Sequence, residues 1–494
     1  MSVRRSVTWS FAGQIVSSAL LFLMAMAVAR LLTPAEMGVF ALGFATAGLI
    51  NILAAVGTSA YVVREAELSS GQIDTAFTVS AILYCGLSLV IFAASFAAAA
   101  MVHEPGVGAV LRFLALRPLL LIVEFRPGAL LQREMKFRPI ALILVASAAT
   151  NLLVTVGSAV SGASYMSMAY GTLAAGAVSA LGYCIAGARH VRLRFSLSHW
   201  RTLTAFGLRL LTISGIAALV HRMSEIIMGR LLGLPALGIF TRATQIWDLI
   251  YFNLYGSVTR VIFSQLSKDY RERGDIKTTY IRGMEMLTAL IWPAALGLSV
   301  LSKPAVLILF GSQWLAAAPA LSLLMIALFV AVGFGMNWEL FVLKDEMARQ
   351  TRLEILRAVG SLGAFTAGCM FGITAAAAGR IVDCVIGFAL YSPHILRLSG
   401  ATAGELFRAF ATSLLISLGA ILPSLLLMIG NDWSASVPIA HVLGSVVAGM
   451  CVWGALVFLL RHPWRDEILR VIALVRLRLG HPGGNPMVEE SDVP

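Results

Sequence analysis

Residues 29–40 read ARLLTPAEMGVF and residues 229–240 read GRLLGLPALGIF, so one segment occurs twice, two hundred positions apart. Arg30 matches Arg230, Leu31 and Leu32 match Leu231 and Leu232, Gly38 matches Gly238 and Phe40 matches Phe240, without a gap. Each copy follows the first long apolar stretch of its half. A weaker echo pairs LLQREMKFR at Leu130–Arg138 with FVLKDEMAR at Phe341–Arg349. A duplicated unit therefore constrains the chain to a fold made of two similar halves, a pattern common among membrane domains.

The composition states the solvent of that fold. Of the 494 residues, 59% are apolar and 13% charged, where soluble domains are roughly a quarter charged. The chain reads as an all-α integral membrane protein, because only helices and closed barrels satisfy their backbone in lipid. At about 20 apolar residues per span, about 14 transmembrane helices are expected. They lie near 8–29, 38–62, 76–102, 107–124, 139–160, 164–187, 204–230, 237–263, 284–302, 315–343, 355–373, 376–395, 407–429 and 438–460.

Basic residues cluster at alternate connections: Arg133, Lys136 and Arg138; Arg189, Arg192, Arg194 and Arg201; Lys268, Arg271 and Arg273; Lys344, Arg349, Arg352 and Arg357. The opposite connections hold Arg30, Arg230 and Lys303. The positive-inside rule then puts both termini in the cytoplasm. The net charge of +12 is mostly this topology signal, dispersed over short loops, and not a nucleic-acid surface. Residues 188–203 form a basic linker, and Trp464, Ile468, Ile472, Val475 and Leu479 share one face of an amphipathic C-terminal helix suited to a lipid surface. Gly, Pro and acidic residues after Gly480 read as a disordered tail. Trp9, Trp314, Trp433 and Trp464 read as interfacial anchors.

Seven arginines fall inside the spans: Arg112, Arg117, Arg209, Arg222, Arg242, Arg260 and Arg380. Each costs roughly 2.5 to 3.5 kcal/mol at mid-bilayer, so it requires water, a partner or a route to the interface. Arg112, Arg209, Arg260 and Arg380 lie near span ends, within snorkelling reach of the interface. Arg117, Arg222 and Arg242 lie deeper. On an ideal helix Arg242, Asn253 and Arg260 project within about 20° of one another, with Gln245 and Gly256 beside them. That stripe predicts a wet path for an anion, with arginine forks that fit phosphate. The alternative is that the two arginines snorkel to opposite faces while Asn253 bonds a neighbouring helix.

Acidic residues also occur at depth. Glu225 stands three positions after Arg222, and Asp383 three after Arg380, which is ion-pair spacing. Asp248 and Glu339 lack such a local partner and are the better candidates for coupling to a proton or sodium gradient, with Glu225 and Asp383 behind them. Cys85, Cys184, Cys369, Cys384 and Cys451 lie in apolar segments without metal-ligand spacing. There is no nucleotide-binding GxxxxGK[ST], no HExxH and no GxSxG. The sequence thus predicts neither an enzyme nor a resident metal or cofactor.

The segments RLLTPAEMGVFAL, LLQREMKFRPIA, IIMGRLLGLPALGIFTRATQI and SVTRVIFSQLS resemble the polysaccharide transporters of the multidrug, oligosaccharidyl-lipid and polysaccharide flippase superfamily, Wzx-type exporters above all. The chain departs where relatives usually read FPxLS and it has Phe263-Ser264-Gln265-Leu266-Ser267, and at Glu225, where Asp is commoner. The resemblance implies two six-helix lobes forming a V, related by a pseudo-twofold axis along the membrane normal, plus two further helices. The N-lobe is then 1–187, the C-lobe 204–395, the added helices 396–460 and the amphipathic helix with its tail 461–494. It also implies a cargo: an undecaprenyl-diphosphate-linked oligosaccharide of exopolysaccharide, capsule or O-antigen, carried from inner to outer leaflet of the bacterial inner membrane. Membrane lipids, and a polymerase with its chain-length regulator, are the expected partners.

Arg117, Arg222, Arg242, Asn253, Arg260, Gln245, Arg112 and Arg380 are the residues expected to hold the diphosphate and sugars. Two alternatives within the superfamily are a cation-coupled multidrug exporter and a flippase of the peptidoglycan lipid precursor. A third, from another class, is a membrane polymerase or ligase, which short external loops disfavour.

Overall fold

In a computed structural model, residues 3–54, 58–65, 68–191 and 194–480 are described. The tail after Gly480 and the side chains of Arg209, Val475, Arg476, Arg478 and Leu479 lie outside the described residues.

Helices account for nearly all of the described chain. The first half contains α1 (Val3–Leu31), α2 (Pro34–Asn51), a short α3 (Thr58–Arg64), α4 (Ser70–Val102), α5 (Pro105–Leu114), α6 (Arg117–Arg133), α7 (Phe137–Val160) and α8 (Met166–Ala186). The second contains α9 (Trp200–Leu231), α10 (Leu234–Ile250), a π turn (Tyr251–Tyr255), α11 (Gly256–Arg273), α12 (Lys277–Val300), α13 (Ser302–Leu309), α14 (Ala318–Gly333), α15 (Asn337–Leu343), α16 (Met347–Cys369) and α17 (Ile373–Ser399). Then follow α18 (Ala403–Gly430), α19 (Ile439–Leu459) and α20 (Pro463–Gly480). Among the described residues, eleven helical stretches have the length and hydropathy to cross a bilayer. The protein is all-α and multi-pass. Large apolar side chains such as Leu89, Leu153 and Phe371 are exposed, which suits contact with lipid.

Local chemistry sets the element ends. Thr33 accepts a hydrogen bond from the Glu36 N–H while Glu36 accepts from the Thr33 N–H at 2.7 Å, a capping box followed by a proline at the first helical position. Ser69 with Gln72 and Thr402 with Glu405 repeat the device at α4 and α18. Gly274 and Gly400 close α11 and α17 in the left-handed conformation, with φ of 69° and 72°.

Each half packs both sequence neighbours, α7 on α8 and α16 on α17, and helices distant in sequence, α1 on α7 and α14 on α17. The halves meet where α2 crosses α10. A methyl group added at Gly38 would stand 1.9 Å from the Leu234 carbonyl oxygen, and one at Gly238 would stand 2.0 Å from that of Pro34. Leu234 is the repeat counterpart of Pro34, so each copy touches the other through the same pair of positions. Both glycines are there to let two backbones approach.

Three departures from the expected spans matter. The tenth apolar segment is broken at Phe334–Met336, where Met336 takes φ 59°. The fourth is broken between α5 and α6 and runs on to Arg133. The eighth is a continuous rod in register only as far as Ile250, where the π turn begins. Trp314, expected at the interface, is fully buried and donates from Nε1 to the Ala29 carbonyl at 2.6 Å.

Candidate functional site

The helices that carry charge into the membrane face one another. Between α9, α10, the π turn, α15, α16 and α17 lies a cavity of about 810 Å³. All of its described lining comes from the second half of the chain, between Ile216 and Cys384.

Arg222, Arg357 and Arg380 line it, together with Asp248, Glu339, Glu354 and Asp383. Arg222 donates to Glu225 Oε2 at 2.9 Å, as the i,i+3 spacing predicts, and lies over the Phe44 ring, its guanidinium centre 5.0 Å from the centroid. A methyl group at Gly48 would come within 2.7 Å of Arg222 Nε, so α2 of the first half makes room for this side chain of the second. Arg357 grips Asp383 with both prongs, Nε to Oδ1 at 2.9 Å and Nη2 to Oδ2 at 3.1 Å, and lies 3.6 Å from Glu354. Arg380 is held more loosely, by the Ser361 hydroxyl at 3.5 Å and the Phe365 ring at 4.8 Å. Among the described residues neither Asp248 nor Glu339 makes an ion pair, which leaves two carboxylates open on the cavity wall.

Aromatic rings complete the wall. Trp247, Tyr251 and Tyr255 stack in a column with centroids 6.4 and 4.8 Å apart, and the Tyr255 hydroxyl accepts from the Met336 N–H at 2.9 Å. That bond ties the π turn to the break between α14 and α15, so two irregular backbone segments steady each other beside the cavity.

The expected anion path along α10 and α11 is corrected by this geometry. The π turn widens the helix between Ile250 and Gly256, and residues beyond it no longer fall on the stripe that an ideal helix projects. Arg242 is 4% exposed and lies away from the cavity, donating to the Ala25 carbonyl at 3.3 Å between the Phe310 and Trp314 rings. Asn253 turns to α1, where its Oδ1 accepts from the Ser18 hydroxyl at 3.3 Å. Arg260 is exposed and bonds Ser257, and among the described residues the Gln245 Oε1 is buried without a partner. Asn253 bonds a neighbouring helix and Arg260 is exposed, as the alternative reading has it, but Arg242 is buried and does not snorkel, and the three form no seam.

Two further arginines lie elsewhere. Arg117 pairs with Glu124 at 2.8 Å, and Ser179 donates to the same carboxylate at 3.0 Å, all within the first half. Arg112 bonds Gly108 of its own helix and faces Phe96. The structure thus brings Arg222, Arg380, Asp248, Glu339 and Asp383 to one cavity, with Glu225 behind Arg222. The wall is a balanced mixture of cations and carboxylates, not the basic surface expected.

Arg357 and Glu354 are the arginine and carboxylate of the cavity that sequence reasoning missed, along with His221 and the aromatic column. The sequence places Arg357 on a basic connection because the apolar run of α16 begins at its level. Its i,i+3 relation to Glu354, repeating that of Arg222 and Glu225, was the available signal. Asp383 likewise takes Arg357 as its partner in place of the sequence-adjacent Arg380.

Similar proteins agree with this architecture. The family model described as "Polysaccharide biosynthesis protein" matches residues 27–319. The succinoglycan biosynthesis transport protein ExoT of Rhizobium meliloti is 24% identical over 324 residues, 65% of each chain. The lipopolysaccharide biosynthesis protein WzxC of Escherichia coli is 23% identical over 64% of this chain and 65% of its own length. The teichuronic acid biosynthesis protein TuaB of Bacillus subtilis is 29% identical over 31% of this chain and 32% of its own. The chain thus spans about 65% of the length of the first two relatives. Among solved structures, the lipid II flippase MurJ in an inward closed conformation superposes with a TM-score of 0.70 at 14% identity, covering 94% of this chain and all of its own. An inward-facing MATE-family multidrug transporter superposes with 0.62 at 19% identity, covering 78% and 96%. At these identities the likeness is one of fold.

Proposed function

The chain belongs to the polysaccharide biosynthesis protein family, and from that premise we propose that it is a flippase for undecaprenyl-diphosphate-linked oligosaccharide repeat units. It moves them from the inner to the outer leaflet of the bacterial inner membrane. The observation that carries the reading is a cavity of about 810 Å³ lined by three arginines and four carboxylates, among helices whose large apolar side chains are exposed. A bare diphosphate in hydrocarbon meets a barrier of tens of kcal/mol, and sugar hydroxyls add to it. A cavity holding guanidinium groups and hydrogen-bonding side chains removes most of that barrier.

The mechanism follows from the pairing. Among the described residues Arg380 has only a hydroxyl and a ring for partners, so a phosphate oxygen improves its contacts at once. Arg222 must first release Glu225. A diphosphate bridging Arg222 and Arg380 draws Arg222 off Glu225, which keeps His221 at 3.7 Å. An inward-directed proton or sodium gradient drives outward transport only if the cation moves opposite to the cargo, so Asp248, Glu225 and Glu339 take it up from outside after the cargo leaves and give it up inside before the next cargo binds. Asp383, clamped by Arg357, keeps that arginine in place. Fourteen spans arranged as two six-helix lobes and an added pair, with both termini cytoplasmic, let the lobes rock about the α2–α10 crossing while the prenyl tail stays in lipid. A polymerase and its chain-length regulator receive the product.

Purified protein in liposomes, offered fluorescent lipid-diphosphate oligosaccharide beside a lipophilic drug cation, tests the reading. Flipping of the sugar lipid is expected, and Arg380→Gln should slow it roughly tenfold, the value of one charge-assisted contact. Export of the cation without sugar-lipid movement would replace this reading with that of a multidrug exporter, which the four cavity carboxylates accommodate.

A further inference from the structure

The repeated segment carries an arginine that the cavity does not use. Arg30 ends α1 and Arg230 ends α9, on the face of the membrane that is external in the proposed orientation. Arg30 Nη2 donates to the Ile308 carbonyl of the second half at 3.0 Å, and Arg230 Nη1 donates to the Met101 carbonyl of the first half at 2.6 Å. The exchange is reciprocal: each copy of the repeat fastens itself to the other half. Gln313 and Trp314 add ties in one direction, Gln313 Nε2 reaching the Ala29 and Leu32 carbonyls at 2.7 and 3.2 Å and Trp314 Nε1 reaching Ala29 at 2.6 Å. Below them Arg242 spans from α10 to the Ala25 carbonyl of α1. Every one of these bonds crosses between the halves.

We infer that Arg30 and Arg230, with Gln313 and Trp314, form a releasable seal that keeps the external face closed in the state described here. Two features support it. The acceptors are backbone carbonyls, among them Ala29 O in the last turn of α1, whose intrahelical partner is missing at a helix end. Both arginines are exposed, so water replaces their bonds at small net cost when the halves part. The ties stand beside the Gly38–Gly238 crossing, Gln313 reaching the Leu32 carbonyl two residues before Pro34.

The seal rests on reading the chain as an alternating-access flippase, and it is tested without cargo. With the five native cysteines replaced by alanine, a single reporter cysteine is placed at Ala29, which is fully buried, or at Ala25, one turn deeper. A membrane-impermeant trimethylammonium methanethiosulfonate is added outside sealed vesicles. Slow labelling is expected with the seal intact. In Arg30→Gln/Arg230→Gln the rate should rise roughly tenfold at both reporters, with the Lys/Lys pair between, because two fasteners are lost. Arg112→Gln, which removes a guanidinium bonded to its own helix, should change nothing. Unchanged rates in the double variant, in protein eluting as a monodisperse species, would overturn the seal, as would an equal rise in Arg112→Gln. Faster labelling without sugar-lipid flipping would leave the seal standing and remove the flippase reading, while the converse would do the opposite.

Discussion

The two halves of the molecule share a segment and differ in what they do with charge. In the first half buried cations are spent locally: Arg117 on Glu124, and Arg126 on Asp74 at 2.6 Å. In the second, Arg222, Arg357 and Arg380 face a common cavity with carboxylates across it. What duplication preserved is the backbone contact at Gly38 and Gly238; what diverged is the helix beyond it. After the crossing, α2 stops at Asn51 in a short tight turn, whereas α10 passes through the π turn that carries Tyr251 and Tyr255 onto the cavity wall. A close helix crossing tolerates almost no side-chain change, while a cavity wall tolerates many, so the first records ancestry and the second records use.

The strongest way to break the comparison is at its conserved point. Gly38→Ala and Gly238→Ala each drive a methyl group into a backbone carbonyl, and each should cost on the order of 2 kcal/mol or more, read as a fall in thermal stability in detergent. If the halves meet as equivalents the two losses agree; a harmless substitution at either position separates them. Next comes the contrast in charge. Arg117→Gln leaves Glu124 with the Ser179 hydroxyl but no cation and should cost about 2 kcal/mol of stability while leaving flipping per folded molecule unchanged, whereas Arg380→Gln should do the reverse. Melting and flipping measured on the same preparations decide between the two patterns, and a stability loss at both positions would erase the distinction.

The helix starts sharpen the picture with a smaller effect. Thr33 caps α2 through its side chain, but its counterpart Gly233 enters α10 at φ 86°. Thr33→Ala should cost about 1 kcal/mol, and Gly233→Ala about as much by backbone strain, so alanine is unwelcome in both copies for different reasons. Thermal shifts of the single variants check this. The smallest effect concerns Glu346, where hydrogen bonds from Arg397 hold the carboxyl below its ordinary value of 4.5. Its contribution is present above that pH and fades as pH falls through the lowered value. Wild type and Glu346→Gln should therefore differ in melting temperature at pH 7 and converge in acid.

The amino-acid sequence determined the membrane class, the duplication, most helix ends and the presence of costly charges at depth, because each follows from composition or from neighbours a few residues apart. Pairing of Arg222 with Glu225 belongs to the same short range and was legible. What only the tertiary structure decided is where those charges point. One π turn moved Asn253 and Arg260 off the line of Arg242. Helix packing gave Asp383 to Arg357 instead of Arg380, placed Arg357 and Glu354 in the cavity, and enclosed Arg242 between two rings contributed by a segment some seventy residues away. Helical periodicity specifies a face only while the helix is regular, and which neighbour that face meets is settled by packing across the whole fold.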